Sequence, residues 1–279
     1  MTFREFQIIQ SERLKTIYPE VEAREIVWRL FEHYEGVSRS KMLLMLDDSI
    51  SIQIQNKLEE AIVRLLTFEP LQYVLGETEF YGYTFKVNSS VLIPRPETEE
   101  LVDMVVKEWK NKAPSILDIG TGSGCIPIVL KKEIKKSRVT SIDISSDALA
   151  VARENAKNNK AEVEYILADM RTYTSLYKYD IIISNPPYVM ESEKNQIRDN
   201  VLKFEPSLAL FVADGDPLEF YKSIAKISKH SLNLGGRIYL EINQQLGQET
   251  MSIFEEFGFN SFVLKDLFGV DRFVVAEWV

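Results

Sequence analysis

The chain has 279 residues, 45% of them hydrophobic, and a formal net charge of −9. This length accommodates a domain of common size together with a smaller one, and the acidic balance argues against a broad nucleic-acid-binding surface. A single cysteine, Cys125, excludes an intrachain disulfide and suits a reducing compartment. His33 and His230 are the only histidines and lie far apart, so the sequence predicts no metal site.

The beginning of the chain carries charges where a signal peptide would need a long apolar core. No apolar run approaches the roughly 18 residues of a membrane-spanning helix. We therefore expect a cytoplasmic protein.

Residues 1–75 predict a small helical bundle. Pro19 and Gly36 bracket a helix over residues 20–35, because proline favours the start of a helix and glycine its end. Further stretches with helical spacing of apolar residues are 4–17, 41–46 and 53–67. Residues 1–79 carry nine Lys and Arg against fourteen Asp and Glu, whereas contact with nucleic-acid phosphates needs cationic side chains.

A linking segment follows at residues 76–97. Its residues 78–87 alternate in polarity about Gly82, which predicts a β-hairpin. The remaining residues, 98–279, are long enough for the larger domain.

The larger domain opens with a pattern typical of a nucleotide-binding corner. A short apolar strand at residues 115–119 precedes the loop Gly120-Thr121-Gly122-Ser123-Gly124, and an apolar helical stretch follows at 126–130. Glycines at such a turn let the backbone approach a ligand closely. The loop lacks the Gly-Lys-Ser/Thr of a P-loop and the full dinucleotide fingerprint.

Two further strands end in acidic residues. Residues 138–142 lead to Asp143, whose carboxylate could accept hydrogen bonds from both hydroxyls of a ribose, and residues 163–167 lead to Ala168, Asp169 and Met170. Either aspartate alone could instead cap a helix. Their shared position at successive strand ends favours a ligand site along one edge of a parallel sheet.

A fourth apolar strand, 179–184, ends in Asn185-Pro186-Pro187-Tyr188. Prolines have a fixed φ and no N–H, so this turn is stiff and exposes carbonyl oxygens without competing donors. The Asn185 side chain and the Pro186 carbonyl could accept both hydrogens of a planar NH2 group, and the Tyr188 ring could stack on it. A proline-rich turn without any ligand is the alternative.

The rest of the chain completes the predicted sheet. Helices are expected at 218–230 and 248–257, and strands at 237–241, 262–265 and 273–277, the last two as an antiparallel hairpin. The fold class is therefore α/β. We expect a seven-stranded, doubly wound, mostly parallel sheet with helices on both faces, preceded by the helical bundle and the hairpin.

The glycine loop, the acidic end of the second strand and Asn-Pro-Pro-Tyr together resemble a class I S-adenosylmethionine-dependent methyltransferase that methylates amino groups. Residues 71–76, 80–82, 92–99 (Leu-Ile-Pro-Arg-Pro-Glu-Thr-Glu) and 204–206 are similar, in order and spacing, to the HemK/PrmC family. That family methylates the glutamine of the Gly-Gly-Gln loop in class 1 peptide-chain release factors. The segment at 92–99 makes the resemblance family-specific.

The resemblance implies roles for named residues. The cofactor would be S-adenosyl-L-methionine, released as S-adenosyl-L-homocysteine. Its ribose would contact Asp143, its adenine would contact Asp169 and Met170, and Asn185 would also contact the cofactor. Its methionine portion would contact the loop residues Gly120, Thr121, Gly122, Ser123 and Gly124. Asn185, Pro186, Pro187 and Tyr188 would hold the substrate glutamine, with Asn185, Pro186 and Tyr188 as the catalytic set.

Several expectations and alternatives accompany this interpretation. We expect a monomer whose residues 1–75 dock the release factor. Arg95 and Glu97 would lie near the mouth of the active site, or form a salt bridge that fixes the linker. The alternative functions are glutamine methylation of a ribosomal protein, adenine-N6 methylation of a nucleic acid, and a cofactor-fold module without catalysis.

Overall fold

A computed structural model describes residues 1–279 and divides them into two units. The first unit comprises Met1–Gly76 together with Arg198–Phe204, and the second comprises Glu77–Ile197 and Glu205–Val279. None of the helices is both long and apolar enough to cross a lipid bilayer.

The first unit is helical, as predicted. Its N-terminal helices are α1 (Phe3–Leu14), α2 (Glu20–Glu35), α3 (Arg39–Leu44), α4 (Ile52–Leu66) and α5 (Leu71–Leu75). A capping box begins α1, because the Thr2 hydroxyl accepts from the Glu5 amide and the Glu5 carboxylate accepts from the Thr2 amide. The helices share one apolar core, which includes Phe6, Leu14, Phe31, Leu58 and Leu65.

The second unit alternates strands and helices. Up to residue 190 its elements are β1 (Glu77–Phe80), β2 (Tyr83–Lys86), α6 (Pro96–Trp109), β3 (Ser115–Ile119), α7 (Cys125–Glu133), β4 (Arg138–Asp143), α8 (Ser146–Asn159), β5 (Glu164–Leu167), β6 (Tyr179–Ser184) and β7 (Val189–Met190). A 3-10 helix (Glu191–Gln196) follows, then α9 (Asp199–Phe204), which belongs to the first unit, and then α10 (Ser207–Leu210), β8 (Phe211–Val212), α11 (Glu219–Ser231), β9 (Leu232–Glu241), α12 (Gly247–Glu256), β10 (Asn260–Lys265) and β11 (Asp271–Glu277).

Seven of these strands form one sheet in the order β10-β11-β9-β6-β3-β4-β5. The pairs from β9 to β5 are parallel, whereas β11 is antiparallel to both of its neighbours. The predicted seven-stranded, mostly parallel sheet with a closing antiparallel hairpin is therefore confirmed.

Both faces of the sheet are covered, which explains the nearly unbroken apolar runs in its strands. In β6, Ile181 and Ile183 join a cluster with residues of α6 and α7, whereas Ile182 on the other face joins α11 and α12. All three isoleucines are fully buried. Because side chains alternate across a strand, one continuous run supplies both cores.

Two regions differ from the sequence-based prediction. Helix α6 begins at Pro96, inside the segment predicted as linker, because proline at the first helical position needs no hydrogen bond for its missing N–H. Between residues 189 and 212 the chain forms short helices and the two-residue strands β7 and β8, which pair with each other. No periodicity can reveal strands of two residues.

The hairpin β1–β2 is tied to the glycine loop by Asn155, a buried residue of α8. Its side-chain oxygen accepts from the Lys86 amide at 2.7 Å, and its NH2 group donates to the carbonyls of Lys86 and Ser123, both at 2.9 Å. One side chain thus forms hydrogen bonds with three backbone groups. Its carboxamide pairs with both the N–H and the C=O of Lys86, as the backbone of a neighbouring strand would.

We predict that Asn155→Ala lowers the free energy of unfolding by about 3 kcal/mol, because it leaves buried backbone groups unpaired. Asn159→Ala is the matched control on the same helix. Asn159 donates to the Thr84 carbonyl in a more exposed setting, so its loss should cost about 0.5–1 kcal/mol. Urea unfolding of both variants measures the difference, and equal losses would contradict the proposed tie.

Candidate active site

The ends of three neighbouring strands lie at one level of the sheet. Ile119 of β3 is in register with Ile142 of β4 and with Ser184 of β6. The residues directly after these three positions, among them Asp143 and Asn185, therefore emerge at one edge, as the sequence predicted. They surround a cavity of about 180 Å³ whose lining includes Gly120, Thr121, Gly122, Ser123, Asp143, Asp169, Met170, Asn185 and Pro187.

The glycine loop leaves the cavity open where a ligand would need close approach. Gly122 has φ +52°, and a Cβ placed there would meet no atom within 4 Å. Gly124 has φ +82°, and a Cβ there would lie 3.0 Å from the Cβ of Ala152 in α8. Gly122 thus leaves space on the ligand side, whereas Gly124 lets the loop pack closely against α8.

Two side-chain hydroxyls of the loop lack a hydrogen bond of good geometry. The hydroxyls of Thr121 and Ser123 both line the cavity and are buried without a hydrogen bond of good geometry, although Thr121 also interacts with the Asp118 carboxyl and Ser123 with the Cys125 thiol. Buried polar groups are usually satisfied, so these hydroxyls are available to a polar ligand. The open backbone at Gly122 and these two hydroxyls fit the methionine portion of S-adenosylmethionine.

Asp143 organises the loop as well as lining the cavity. Its Oδ2 accepts from the Gly122 amide and its Oδ1 from the Ser145 amide, both at 2.9 Å. Burial raises the pKa of this carboxyl, an effect that the backbone hydrogen bonds oppose. Each carboxylate oxygen keeps acceptor capacity, which suits the predicted contact with ribose hydroxyls.

Asp169 is held by Arg171. Both of its oxygens accept from the guanidinium, with the shortest contact at 2.7 Å, and this lowers the pKa of the Asp169 carboxyl. Met170 lies beside it, with its terminal methyl near Gly120. These two residues line one side of the cavity, and their contact with adenine, which the family resemblance implies, stays a prediction.

The Asn-Pro-Pro-Tyr segment is only partly on the cavity wall. Asn185 and Pro187 line it, whereas Pro186 and Tyr188 do not. Pro186 is buried, and the Tyr188 hydroxyl donates to the Glu241 carboxylate at 3.1 Å. The substrate roles of Pro186 and Tyr188 stay predictions.

Two residues that sequence reasoning missed hold Asn185. The Asn185 NH2 group donates to the Thr98 hydroxyl at 3.1 Å, and that hydroxyl donates to Glu241 at 2.7 Å. Glu241 is 1% exposed, and burial raises the pKa of its carboxyl. It ends β9, where Leu240 is in register with Ser184. The sequence feature that could have identified Glu241 is a carboxylate at the end of an apolar strand.

Sequence reasoning also missed Asp118, another carboxylate in an apolar strand. It lies inside the wholly buried strand β3, where it accepts from the Ser141 hydroxyl at 2.5 Å, while its other oxygen has no partner. Burial raises the pKa of this carboxyl to about 7. A charged residue within an apolar strand marks a buried polar group directly beneath the loop.

Arg95 pairs with Glu205 rather than with Glu97, so the alternative of an Arg95–Glu97 salt bridge is wrong. The guanidinium lies 2.6 Å from one oxygen of Glu205, and the other oxygen accepts from the Ile93 amide at 3.2 Å. Glu205 is buried, so it anchors the segment before α6 to the segment before α10. Arg95 itself lines the cavity.

The strand order, the antiparallel β11 and the glycine loop after β3 define a class I S-adenosylmethionine-dependent methyltransferase. Two solved structures share this fold: a methyltransferase from Pyrococcus furiosus (TM-score 0.53, 14% identity, 80% of this chain and 96% of that one) and the 16S rRNA N2 G1207 methyltransferase of Thermus thermophilus, solved in complex with AdoMet and guanosine (TM-score 0.52, 16% identity, 73% and 50%). At these identities they show the fold alone.

Sequence comparison identifies the family. A "Methyltransferase small domain" model matches residues 97–205, and a "PrmC N-terminal domain" model matches residues 10–76. Proteins named release factor glutamine methyltransferase are 44% identical in Bacteroides thetaiotaomicron (95% of this chain, 96% of that protein) and 41% identical in Flavobacterium psychrophilum (98% and 97%). The chain belongs to the release factor glutamine methyltransferase family, as its motifs indicated, and is an S-adenosylmethionine-dependent methyltransferase.

We predict that Asp143→Ala weakens cofactor binding by about tenfold to a hundredfold, because charge-assisted hydrogen bonds contribute roughly 1.5–3 kcal/mol each. Calorimetry with S-adenosylmethionine measures the effect, and a thermal melt of the free variant checks that it is folded. An unchanged dissociation constant would reduce Asp143 to a clamp for the loop and for Ser145, the residue that caps α8.

Proposed function

We propose that the protein transfers the methyl group of S-adenosylmethionine to the side-chain amide nitrogen of the glutamine in the Gly-Gly-Gln loop of class 1 release factors. The observation that carries this proposal is the state of Asn185. Its NH2 group is engaged by Thr98, whereas its carbonyl oxygen has no partner in the protein and the residue lines the cavity. A free acceptor at this place suits a substrate NH2 group.

The methyl donor would be held by the glycine loop. The Gly122 backbone and the hydroxyls of Thr121 and Ser123 would contact its methionine portion, Asp143 its ribose, and Asp169 with Met170 its adenine. When bound, S-adenosylmethionine supplies an electrophilic methyl group on a sulfonium sulfur.

The chain's own contribution is orientation. An amide nitrogen is a weak nucleophile because its lone pair is delocalised into the carbonyl. The Asn185 oxygen would accept one N–H of the substrate amide, which restricts its plane and directs the nitrogen toward the methyl group. The predicted second acceptor, the Pro186 carbonyl, would have to be reached from the cavity wall that Asn185 and Pro187 form. The methyl group would pass to the amide nitrogen with S-adenosylhomocysteine as the leaving group, and one N–H proton of the amide would be lost to solvent.

Two further features belong to the same proposal. A protein that modifies a translation factor would act in the cytoplasm, as a monomer and without stable nucleic-acid binding, in keeping with the net charge of −9. The relatives' names support a release factor as substrate over a ribosomal protein.

One experiment tests the reaction. Labelled S-adenosylmethionine is incubated with a release factor, with its loop glutamine-to-alanine variant, with a ribosomal extract and with DNA. We expect label in the intact factor only. Label in the extract or the DNA, with none in the release factor, would refute the proposal.

We predict that Asn185→Ala lowers kcat by on the order of a hundredfold or more while cofactor affinity stays nearly unchanged, because the lost acceptor orients the amide rather than the sulfonium. Single-turnover methylation and cofactor calorimetry separate the two quantities. Turnover near that of the wild type at saturating cofactor would remove Asn185 from its assigned role.

We further propose that the helical unit docks the release factor beyond its glutamine loop. Specific protein recognition usually buries on the order of 800 Å² per partner, more than one loop offers. This unit exposes large apolar side chains, among them Val21 (81%) and Leu44 (86%). Such side chains suit a contact surface.

We predict that Leu44→Glu raises KM for the intact factor by about fivefold or more, since a charge opposes burial at an interface. Methylation of a short loop peptide should not change. Leu176→Glu is the control, because Leu176 is equally exposed (94%) but lies in the second unit. A Leu44 variant with an unchanged KM would argue that this surface does not dock the factor.

A further inference from the structure

Asn185 stands at the end of a buried chain of hydrogen bonds. Its Nδ2 lies 3.1 Å from the Thr98 hydroxyl oxygen, which lies 2.7 Å from Oε2 of Glu241. The other carboxylate oxygen, Oε1, receives the Tyr188 hydroxyl at 3.1 Å. Thr98 and Glu241 are 3% and 1% exposed, so water does not replace these partners.

The direction of every hydrogen bond in this chain follows from the carboxylate. While Glu241 is ionised it can only accept, so the single hydroxyl hydrogen of Thr98 is then committed to Glu241. The Thr98 oxygen then offers only lone pairs to Asn185. Asn185 must therefore turn its NH2 group toward Thr98 and its carbonyl oxygen toward the cavity.

If the Thr98 hydroxyl could donate in either direction, the two orientations of the Asn185 carboxamide would have nearly the same energy, because its oxygen atom and its NH2 group are almost the same size. A reversed carboxamide would present donors to the cavity. Those donors would repel the NH2 group of glutamine and favour a carboxylate instead.

We propose that Thr98 and Glu241 are positioning residues that lock the Asn185 carboxamide with its oxygen toward the substrate, and that this lock selects a glutamine amide over a glutamate carboxylate. The inference rests on the proposed function. It assigns a part in substrate choice to Thr98, which lies in the first turn of α6 and lines the cavity, and to Glu241, which ends β9 and does not line it. Both would act through the orientation of Asn185.

Charged groups around Glu241 affect its protonation state, which determines the direction of the hydrogen bonds to Thr98 and Asn185. Burial and the neighbouring Glu97 of α6 raise the pKa of Glu241, whereas the hydroxyls of Thr98 and Tyr188 and the charge of Arg272 in β11 lower it. Tyr221 of α11 also faces this position and donates to the Glu241 backbone carbonyl at 3.3 Å. A protonated Glu241 could donate to Thr98, which would free the Thr98 hydrogen for the Asn185 oxygen and reverse the chain.

Thr98→Val tests the lock, because valine keeps the shape of threonine and removes the hydroxyl. We expect kcat to fall by about tenfold or more at saturating cofactor, with an unchanged cofactor dissociation constant. Thr98→Ser keeps the hydroxyl and should restore most of the activity. Thr250→Val is the matched control, since Thr250 is a fully buried helical threonine whose hydroxyl has no partner.

A release factor with glutamate in place of its loop glutamine supplies a readout that a purely structural role would not change. It should inhibit the wild type weakly and the Thr98→Val variant about tenfold more strongly, relative to each enzyme's KM for the normal factor. The inference would be overturned if Thr98→Val kept its activity, or if Thr98→Val and Thr98→Ser lost activity equally. It would also be overturned if Thr250→Val lost as much activity as Thr98→Val, or if inhibition by the glutamate factor were the same in Thr98→Val as in the wild type. A wild type that fails to methylate the release factor would instead refute the proposed function, and the inference with it.

Glu241→Gln tests the other positioning residue. In the wild type, kcat at saturating substrates should fall as the pH drops through the pKa of Glu241, because the protonated form reverses the chain. The glutamine variant should have a lower kcat that lacks this dependence. An acid limb that is unchanged in Glu241→Gln would show that Glu241 does not set the orientation of Asn185.

Discussion

Parallel pairing of the central strands determines where the chemistry of this protein takes place. The pairing sets Ile119, Ile142, Ser184 and Leu240 at one level, so that the next residue of each strand begins the same edge of the sheet. A slip of one residue in β6 would exchange its two apolar faces and turn Ile182 toward the wrong core. The packing that stabilises the sheet therefore also fixes Asn185 beside Asp143 and Glu241.

The glycine loop depends on that edge for its shape. It is held from one side by the Asp143 carboxylate at the Gly122 amide and from the other by Asn155 at the Ser123 carbonyl. A side chain at Gly124 would crowd Ala152 of α8 and strain a backbone with φ +82°. The loop is thus rigid before any ligand binds, which lowers the entropic cost of binding.

Two buried carboxyls and one half-buried carboxyl lie around this edge. Asp118, Asp143 and Glu241 all have raised pKa values because burial disfavours their charged forms. Asp143 and Glu241 each accept hydrogen bonds from two donors, and these bonds offset part of the free-energy cost of removing the carboxylates from water. Such groups stabilise little by themselves. They direct donors and acceptors, and at Asn185 that direction distinguishes one planar substrate group from another.

Sequence alone determined the local features: the strands that end at Ile119 and Ser184, the need for glycine in the loop, and the acceptors of Asn185. Local periodicity and turn chemistry encode these features, because each depends on neighbours along the chain. Thr98 and Glu241 stand 87 and 56 residues from Asn185, and only the packing of α6 and β9 against β6 brings them together. The same holds for the pairing of Arg95 with Glu205 and for the two-residue strands β7 and β8. These contacts join distant segments, so their partners are decided by tertiary structure and no local pattern records them.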